Sequence, residues 1–367
     1  MNRYLAVLCV LAVALGGCSS NHKVTNPAPA SVGSLRSYNG TASVGDFLTI
    51  TLDATAHTLT YSNHSNGDSG VVPYAVNGDG TYTLADTTGN LVSAYEVPGF
   101  VLLVQVAKAG PAHDTPALVT AVQSTPATVS GMANRHCNYM QFRTSDGGFE
   151  AGAISTDNTG AMSQTAFWPY GTMSASDSFH SSAGGVLTLA QDPSGRFLKG
   201  VAGPGDTVYV FFTQNGVFAM DTRSGAVLGF NQAAGKTFDP ANAGTYKAIF
   251  YEKSGATMNG GIESGTGVVA HGTVTVGADG SITLADAGGT LATGTLTPVA
   301  DAAWLNGPGR LTEACNGLFT LRLLGAGTRQ DAFVTFLNGA VLFSSFRTAV
   351  PVTGGNTYDY WYGVALR

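Results

Sequence analysis

The run Gly80-Thr-Tyr-Thr-Leu-Ala-Asp-Thr-Thr-Gly89 indicates the fold, because it recurs twice further along the chain. The second copy is Gly185-Val-Leu-Thr-Leu-Ala-Gln-Asp-Pro-Ser-Gly195, and the third is Gly280-Ser-Ile-Thr-Leu-Ala-Asp-Ala-Gly-Gly289. Each copy is typical of strand, tight turn and strand, in which Asp binds the turn backbone through its carboxylate and Gly takes the positive-φ position. The spacing of the copies predicts three related units of about 100 residues each.

Alternating apolar and polar residues surround these copies. In the segment 46–52, Leu48, Ile50 and Leu52 share one face, and threonines occupy the other. The segment 100–106 is apolar on both faces, as in a central strand, and no long window shows the 3.6-residue period of an amphipathic helix. We therefore predict an all-β fold made of tandem antiparallel β-sandwich or β-barrel units with internal repeats.

The segment 208–230 leaves a second architecture open. Its Ala219, Asp221 and Gly225, followed by Phe230 where the family prefers Trp, resemble a blade of the quinoprotein-type β-propeller. The resemblance covers 23 residues of one copy. It implies a β-propeller as the alternative fold, which would need several blades at intervals of roughly 40–50 residues.

The composition is that of a folded chain with few charges. Hydrophobic residues make up 44%, charged residues 11%, and there are 49 glycines among 367 residues, which favours many short strands joined by tight turns. Without residues 1–17 the chain would carry 16 basic and 23 acidic residues, spread thinly. Because no basic patch is present to neutralise phosphates, we do not expect nucleic acid as a partner.

The first 17 residues are typical of an export signal. Arg3 precedes an apolar run from Leu5 to Leu15, which is too short to cross a membrane core that needs ~20 residues. Leu15-Gly16-Gly17-Cys18 resembles the recognition box of bacterial lipoprotein signals. The resemblance implies a diacylglyceryl thioether on Cys18, cleavage before it, and acylation of the new amino group by a chain such as palmitate.

Several acyl chains would hold the protein stably in a membrane. Ser19 stands where Asp is associated with inner-membrane retention in this class, so the expected location is the cell envelope, with the anchor in the outer membrane. The alternative is an ordinary signal peptide that leaves a soluble secreted protein. We divide the chain into a signal peptide (1–17), a flexible tether with two prolines (18–37), a β-rich region with two repeat units (38–235) and a C-terminal β domain with the third (236–367).

Two of the four cysteines remain for other chemistry once Cys9 leaves with the signal and Cys18 is lipidated. Export would place Cys137 and Cys315 in an oxidising compartment, and we predict a disulfide between them. Two separate buried thiols are the alternative, since sequence does not supply the distance that a bridge requires.

No catalytic motif in the sequence withstands scrutiny. Gly67-Asp68-Ser69-Gly70 resembles the nucleophile loop of chymotrypsin-like proteases, but His57 lies too close to it in sequence for that fold. The seven histidines do not stand at metal-ligand spacing, so we predict no metal and no cofactor. Carboxylate pairs for glycoside hydrolysis are set by the fold and remain open. The candidates are Glu150, Asp157, Asp177 and Glu263.

Aromatic residues are the remaining functional signal. The last strand places several tyrosines on one face and Trp361 on the other, and a second aromatic group surrounds Trp168. On an exposed face such side chains stack on sugar rings or bury against a partner, and the alternative is that they close a hydrophobic core. The candidate stacking residues are Trp168, Tyr170, Tyr358, Tyr360, Trp361 and Tyr362.

These features predict a lipid-anchored lipoprotein of binding or structural type. Its expected partners are the membrane, through Cys18, and an envelope glycan or protein. An enzyme is the less expected class, either one acting on envelope glycans or one of propeller type. A β-barrel that captures a small ligand is the third alternative.

Overall fold

The computed structural model describes residues 33–85, 91–109, 115–142, 149–168, 180–181, 186–222, 225–259, 262–263, 268–301, 315–325, 328–346 and 357–367. These residues form three consecutive antiparallel β-barrels, which we call barrels 1, 2 and 3. Among them no α-helix occurs, and no helix has the length and apolar character needed to cross a membrane.

Barrel 1 is an eight-stranded meander that closes because its first strand pairs with its last. Alternate residues point inward, and Tyr38, Leu52 and Leu102 are fully buried in its interior. Its strands are β1 (Leu35–Ala42), β2 (Asp46–Asp53), β3 (Thr58–Asn63), β4 (Ser69–Val76), β5 (Thr81–Ala85), β6 (Leu91–Val97), β7 (Val101–Ala109) and β8 (Thr115–Gln123).

Barrel 2 follows a short 3-10 turn at Ser130–Met132 and is incompletely closed. Its first and last strands pair, whereas the break further along is crossed by an isolated bridge between Met162 and Leu187. Leu198, Val210 and Phe218 help to fill its interior. Its strands are β9 (His136–Phe142), β10 (Phe149–Thr156), β11 (Met162–Trp168), β12 (His180–Ser181), β13 (Leu189–Gln191), β14 (Leu198–Gly203), β15 (Asp206–Phe212), β16 (Val217–Thr222) and β17 (Gly225–Asn231).

Barrel 3 closes through pairing of its first and last strands. Phe250, Val334 and Phe343 lie in its interior. Its strands are β18 (Gly244–Asn259), β19 (Ile262–Glu263), β20 (Val268–Val276), β21 (Ser281–Asp286), β22 (Gly289–Pro298), β23 (Leu318–Gly325), β24 (Thr328–Leu337), β25 (Ala340–Phe346) and β26 (Thr357–Leu366). Strand β19 is a two-residue extension beside β18 and is not one of the eight barrel strands.

The all-β prediction is confirmed, and the units are barrels rather than sandwiches. The propeller alternative is wrong, because the segment 208–230 supplies β15, β16 and β17 to the wall of barrel 2. The predicted tether also ends too late, since β1 already begins at Leu35.

The repeated turn has the predicted chemistry in its first and third copies. Gly80 and Gly280 have φ of 82° and 80°. The preceding carboxylates, Asp79 and Asp279, accept hydrogen bonds from the backbone N–H groups of Thr81 and Ser281 at 3.0 and 2.9 Å. The first turn joins the fourth and fifth strands of barrel 1, whereas the third joins the second and third of barrel 3. The repeated sequence therefore indicates a shared type of turn, and the two turns do not occupy equivalent positions in barrels 1 and 3. Gly185 of the middle copy lies outside the described residues.

The outer walls of the three barrels meet in one buried cluster, which we call the junction core. Barrel 1 joins barrel 2 where the ring of Phe47 stacks on Tyr209, with centroids 5.0 Å apart. Barrel 2 joins barrel 3 where Phe142 stacks on Tyr362 at 4.6 Å. Its fully buried aromatic members are Phe47, Phe142, Phe230 and Phe333. Barrels 1 and 3 touch through β7, β8, β18 and β20. Every barrel thus contacts both of the others.

Candidate functional site

The predicted aromatic stacking face is wrong for three of its residues. Trp168, Trp361 and Tyr362 are 5%, 4% and 2% exposed. Tyr362 lies in the junction core and Trp361 faces the interior of barrel 3, so β26 is covered on both faces. Tyr170 and the side chains of Tyr358 and Tyr360 lie outside the described residues.

The predicted Cys137–Cys315 disulfide is absent, and both residues are free, buried thiols. Cys137 faces the interior of barrel 2 and donates its thiol to Asn231 Oδ1 at 3.4 Å. Cys315 lies on the other side of the barrel wall, in the junction core. The two segments touch, because Asn138 Nδ2 donates to the carbonyl oxygen of Asn316 at 2.7 Å, but the thiols face different cores. Burial raises the pKa of both thiols to about 12. Cys18 lies outside the described residues.

Of the four carboxylates of the glycosidase alternative, the structure describes Glu150 and Asp157, and these two make separate local contacts. Glu150 accepts hydrogen bonds from Tyr139 and Gln164 at barrel 2. Asp157 is exposed and binds the backbone of its own turn at Thr159, 2.8 Å away. Asp177 and the side chain of Glu263 lie outside the described residues. Among the residues that the structure places, no group of three or more His, Cys, Asp and Glu side chains is arranged to hold a metal ion.

A charged cluster closes the end of barrel 1 at which β1 begins. Arg36 donates two hydrogen bonds to the Glu96 carboxylate, at 2.6 and 2.7 Å, and the Glu96 side chain has no exposed surface. The hydroxyls of Tyr38 and Tyr82 donate to the same carboxylate. The hydrogen bond to Glu96 raises the pKa of Arg36, and burial raises that of both tyrosines. Both oxygens of Glu96 accept hydrogen bonds, so the hydrogen-bonding capacity of this buried carboxylate is used within barrel 1 and the cluster has a structural role.

The cavity inside barrel 3 is too small for a drug-sized ligand. It has a volume of about 30 Å³ and is lined by apolar side chains that include Val274, Leu284, Phe343 and Trp361. An engineered cavity of ~150 Å³ is needed to hold one benzene. The remaining interior is occupied by the side chains of the barrel itself.

A row of threonines on the outer face of barrel 3 was not among the functional candidates predicted from the sequence. Four threonines lie directly opposite one another on four neighbouring strands, and we call them the hydroxyl row. The row is Thr245, Thr275, Thr283 and Thr293. Thr283 is half-buried and the other three are exposed. Repeated Thr-x-Thr motifs, such as Thr273 to Thr275 and Thr293 to Thr295, are the sequence signal of this face, because alternate residues of a strand point to the same side.

Barrel 1 repeats this arrangement on its own first four strands. Ser37, Thr51, Thr60 and Val71 lie opposite one another from β1 to β4. Val71 is 61% exposed, and no charged side chain belongs to this row. The two closed barrels therefore present similar faces, with hydroxyl and methyl groups and no charge in the rows themselves.

A buried carboxyl group marks the seam between barrels 1 and 2. Asp221 of β16 is 2% exposed, and its Oδ2 accepts a hydrogen bond from Ser65 Oγ of barrel 1 at 3.4 Å. Burial, followed by the neighbouring charges of Asp46 and Asp206, raises the pKa of Asp221 to about 8. This residue stood in the propeller-like segment of the sequence, and its position at an interface was not foreseeable there.

No protein-family model and no curated protein matches this chain. Among solved structures, the chain is similar to a mutant of the vaccine antigen Transferrin Binding Protein B from Haemophilus parasuis Hp5, with 9% identity, 91% of this chain and 76% of that chain covered, and a TM-score of 0.24. A double mutant of the same antigen matches with 9% identity, coverage of 88% and 65%, and a TM-score of 0.26. The DNA polymerase III subunit beta from Pseudomonas aeruginosa matches with 10% identity, coverage of 92% and 94%, and a TM-score of 0.14. TM-scores of this size do not place the chain in the family of either protein.

Proposed function

We propose that this protein is a lipid-anchored lipoprotein of the cell envelope that binds an uncharged glycan on the outer faces of barrels 1 and 3. The observation that carries the proposal is the hydroxyl row of barrel 3, with its counterpart on barrel 1. In the part of the chain that the structure describes, buried side chains pack the interiors of barrels 1 and 3, so we place the partner on the outer faces of these barrels.

The chemistry of the rows favours a neutral partner. Each threonine hydroxyl can donate one hydrogen bond and accept two. The strands lie about 4.8 Å apart, and the hydroxyl oxygens of Thr245 and Thr275 are 3.4 Å apart, so these two hydroxyls also bind each other. The rows themselves carry no charge, so a charged polymer would gain little from contact with them. A polymer that itself carries many hydroxyls can satisfy these donors and acceptors, and its ring faces can lie on the methyl groups.

The proposed anchor would keep barrel 1 within a limited distance of the membrane. The segment between Cys18 and Leu35 can extend over at most roughly 60 Å, at about 3.4 Å per residue. Barrel 1 would therefore work close to the membrane surface, with the Arg36 end of the barrel nearest the anchor.

The binding proposal is tested with the chain from residue 18 onward, carrying Cys18→Ser so that it is soluble. This chain keeps Leu35 to Ser37, which belong to β1. Its binding to an array of neutral and acidic envelope glycans is compared with that of the Thr275→Lys/Thr283→Lys variant. We expect neutral glycans to bind the parent and to lose at least ten-fold in affinity for the variant.

The control is Thr207→Lys, which places one lysine on an exposed strand position of barrel 2. It should bind like the parent. A parent that binds none of the glycans, or a double variant that binds as tightly as the control, would contradict the proposal. Trp361→Ala is not a usable control, because Trp361 lies in the interior of barrel 3 and its removal would destabilise the fold.

The anchor is tested separately in cells. We expect the full-length protein to partition with membranes and to incorporate labelled palmitate, and Cys18→Ser to abolish both. Cys9→Ser is the matched control, because that cysteine lies within the proposed signal peptide and should leave both properties unchanged. Membrane association that survives Cys18→Ser would contradict lipid attachment at this residue.

A further inference from the structure

Four buried side-chain atoms that lack a hydrogen-bond partner lie along the contact between barrels 1 and 2. Among the described residues, they are Asn39 Oδ1 and Thr41 Oγ1 of β1, Arg196 Nη2 between β13 and β14, and Asp221 Oδ1 of β16. Such atoms are rare in folded proteins, because burial separates a polar group from the water that binds it in the unfolded chain. A group of four along one contact therefore points to a common partner in that contact.

Strand β1 brings the first two of these atoms to barrel 2. Tyr38 and Ala42 face the interior of barrel 1, so Asn39 and Thr41, which alternate with them, face outward. Outside barrel 1, β1 contacts β16 and β17 of barrel 2. Asn39 and Thr41 are each only 1% exposed, so both polar side chains are covered where the two barrels meet.

Arg196 lies beside Asn39 at one end of this stretch of β1. Asn39 Nδ2 donates a hydrogen bond to the carbonyl oxygen of Arg196 at 2.8 Å. The guanidinium of Arg196 also reaches barrel 1, because its Nε donates to Ser124 Oγ, just after β8, at 3.3 Å. Its Nη2 is the donor that has no partner.

Asp221 lies near Thr41 at the other end. Thr41 is directly opposite Phe47 in the sheet of barrel 1. The backbone N–H of Phe47 donates to Ser65 Oγ at 2.9 Å, and the Ser65 hydroxyl donates to Asp221 Oδ2 at 3.4 Å. The second carboxyl oxygen of Asp221 is the acceptor that has no partner.

The spacing and chemistry of these groups favour water as the partner. Asn39 and Thr41 are two residues apart on one strand, so their Cα atoms are separated by ~7 Å, too far for a short side chain to bind its neighbour directly. The guanidinium needs an acceptor, whereas the amide and carboxyl oxygens need donors. A cation would suit only the oxygens and an anion only the guanidinium, but water both donates and accepts.

The contact between barrels 2 and 3 shows the alternative arrangement. Asn138 of β9 is fully buried there, and both ends of its side chain have protein partners. Its Nδ2 donates to the carbonyl oxygen of Asn316 at 2.7 Å, and its Oδ1 accepts from Gln232 at 3.2 Å. A polar group between two barrels can therefore be paired by the chain itself, which is not the case along β1.

We propose that the contact between barrels 1 and 2 contains a binding site for a line of ordered water molecules, which bridges Arg196, Asn39, Thr41 and Asp221. The water molecules accept a hydrogen bond from the guanidinium, donate to the amide and carboxyl oxygens, and bind the threonine hydroxyl in either role. A buried water molecule typically makes about three hydrogen bonds to groups that would otherwise be unpaired, and it is then part of the folded structure.

The test is the sign of a change in stability in Thr41→Val, which replaces the hydroxyl with a methyl group of similar shape. If water binds the hydroxyl, the variant loses that hydrogen bond, and we expect the equilibrium constant for unfolding to rise about five-fold. If the hydroxyl is dry, the variant loses an unpaired buried polar group, and the constant falls. Urea unfolding of the Cys18→Ser chain provides the measurement, and a constant that is unchanged or lower would overturn the proposal.

The matched control is Thr335→Val. Thr335 is also 1% exposed, but its hydroxyl donates directly to the carbonyl oxygen of Gly317 at 3.0 Å. Both substitutions add the same buried methyl group, so the control gives the effect of losing one hydrogen bond from a threonine in this protein. Thr41→Val should raise the unfolding constant by a similar factor.

A crystal structure of the wild-type chain tests the site without any variant. We expect electron density for water within hydrogen-bond distance of Asn39 Oδ1 and Thr41 Oγ1, continued by water at Arg196 Nη2 and Asp221 Oδ1. A well-ordered contact in which these four atoms bind no water would overturn the proposal, whatever the stability of Thr41→Val.

Discussion

The carboxylate of Glu96 accepts hydrogen bonds from three side chains of barrel 1. The donors are the guanidinium of Arg36 and the hydroxyls of Tyr38 and Tyr82. Glu96→Gln keeps the shape of the side chain but leaves a mostly buried guanidinium without its counter-charge. Removing one partner of a buried pair costs about 3–5 kcal/mol. We expect the variant to lower the free energy of unfolding by ~2–4 kcal/mol, because Arg36 retains some contact with solvent.

The matched control is Asp301→Asn, which removes the charge from an exposed pair. Asp301 binds Lys236 at 3.0 Å, and both side chains are about half exposed. Exposed pairs contribute ~1 kcal/mol or less, so urea unfolding should barely detect this change. If both variants lost the same free energy of unfolding, the Glu96 cluster would not stabilise barrel 1 more than an exposed ion pair does.

The raised pKa of Asp221 also predicts the sign of a pH effect on global stability. The folded state holds this proton up to about pH 8, whereas the unfolded chain loses it near the ordinary value for Asp. Between these two values the folded chain binds more protons, so the contribution of this site to stability falls as pH rises from about 4 to about 8, and is constant above that.

Comparison with Asp221→Asn isolates this contribution. The two proteins should have similar free energies of unfolding at pH 4. As pH approaches 8, the variant should become the more stable one, by ~1.4 kcal/mol for each pH unit. Denaturant unfolding at a series of pH values provides the measurement. A difference between the two proteins that does not change with pH would contradict the shift.

Among the elements, the tight turns are the feature that sequence predicts best. In the Asn77–Gly80 turn, Gly80 has a φ of 82°, which disfavours any side chain, whereas a Cβ at Gly78 would meet no atom within 4 Å. We expect Gly80→Ala to lower the free energy of unfolding by ~1 kcal/mol or more. Gly78→Ala, two residues away, should be neutral or slightly stabilising. Thermal unfolding of the two variants gives the comparison, and a reversed order would refute the assignment of the positive-φ position.

Strand identity was predictable wherever one face was buried and the other solvated. Leu52 and its neighbours in β2 alternate as expected, with inward leucines and outward threonines. The position of β26 was not predictable, because its aromatic residues suit an exposed ladder and a doubly buried strand equally well. Its second cover comes from another barrel, through contacts such as Phe142 with Tyr362, which are distant in sequence.

At the scale of the molecule, the arrangement of the barrels was not predictable. The first and third copies of the repeated turn occupy different positions in barrels 1 and 3, so the repeat by itself does not define the units. Nothing local in the sequence indicates that the outer walls of these units are themselves apolar and meet in one core. The same limit explains the cysteines, since Cys137 and Cys315 belong to touching segments but face different cores.

The junction core implies that the barrels do not unfold independently. If barrel 1 separated from the others, it would expose Phe47, Leu103 and Leu118, which are almost fully buried. Each such side chain contributes ~1.5–3 kcal/mol through burial. Because separating the barrels would expose these side chains at a large cost in free energy, the stability of each barrel depends on its contact with the others.

Differential scanning calorimetry of the mature chain tests this coupling between the barrels. A single shared core predicts one transition, with a calorimetric enthalpy close to the van't Hoff enthalpy. Two or three resolved transitions, or a calorimetric enthalpy that is a multiple of the van't Hoff value, would show that the barrels are independent units and would contradict the account.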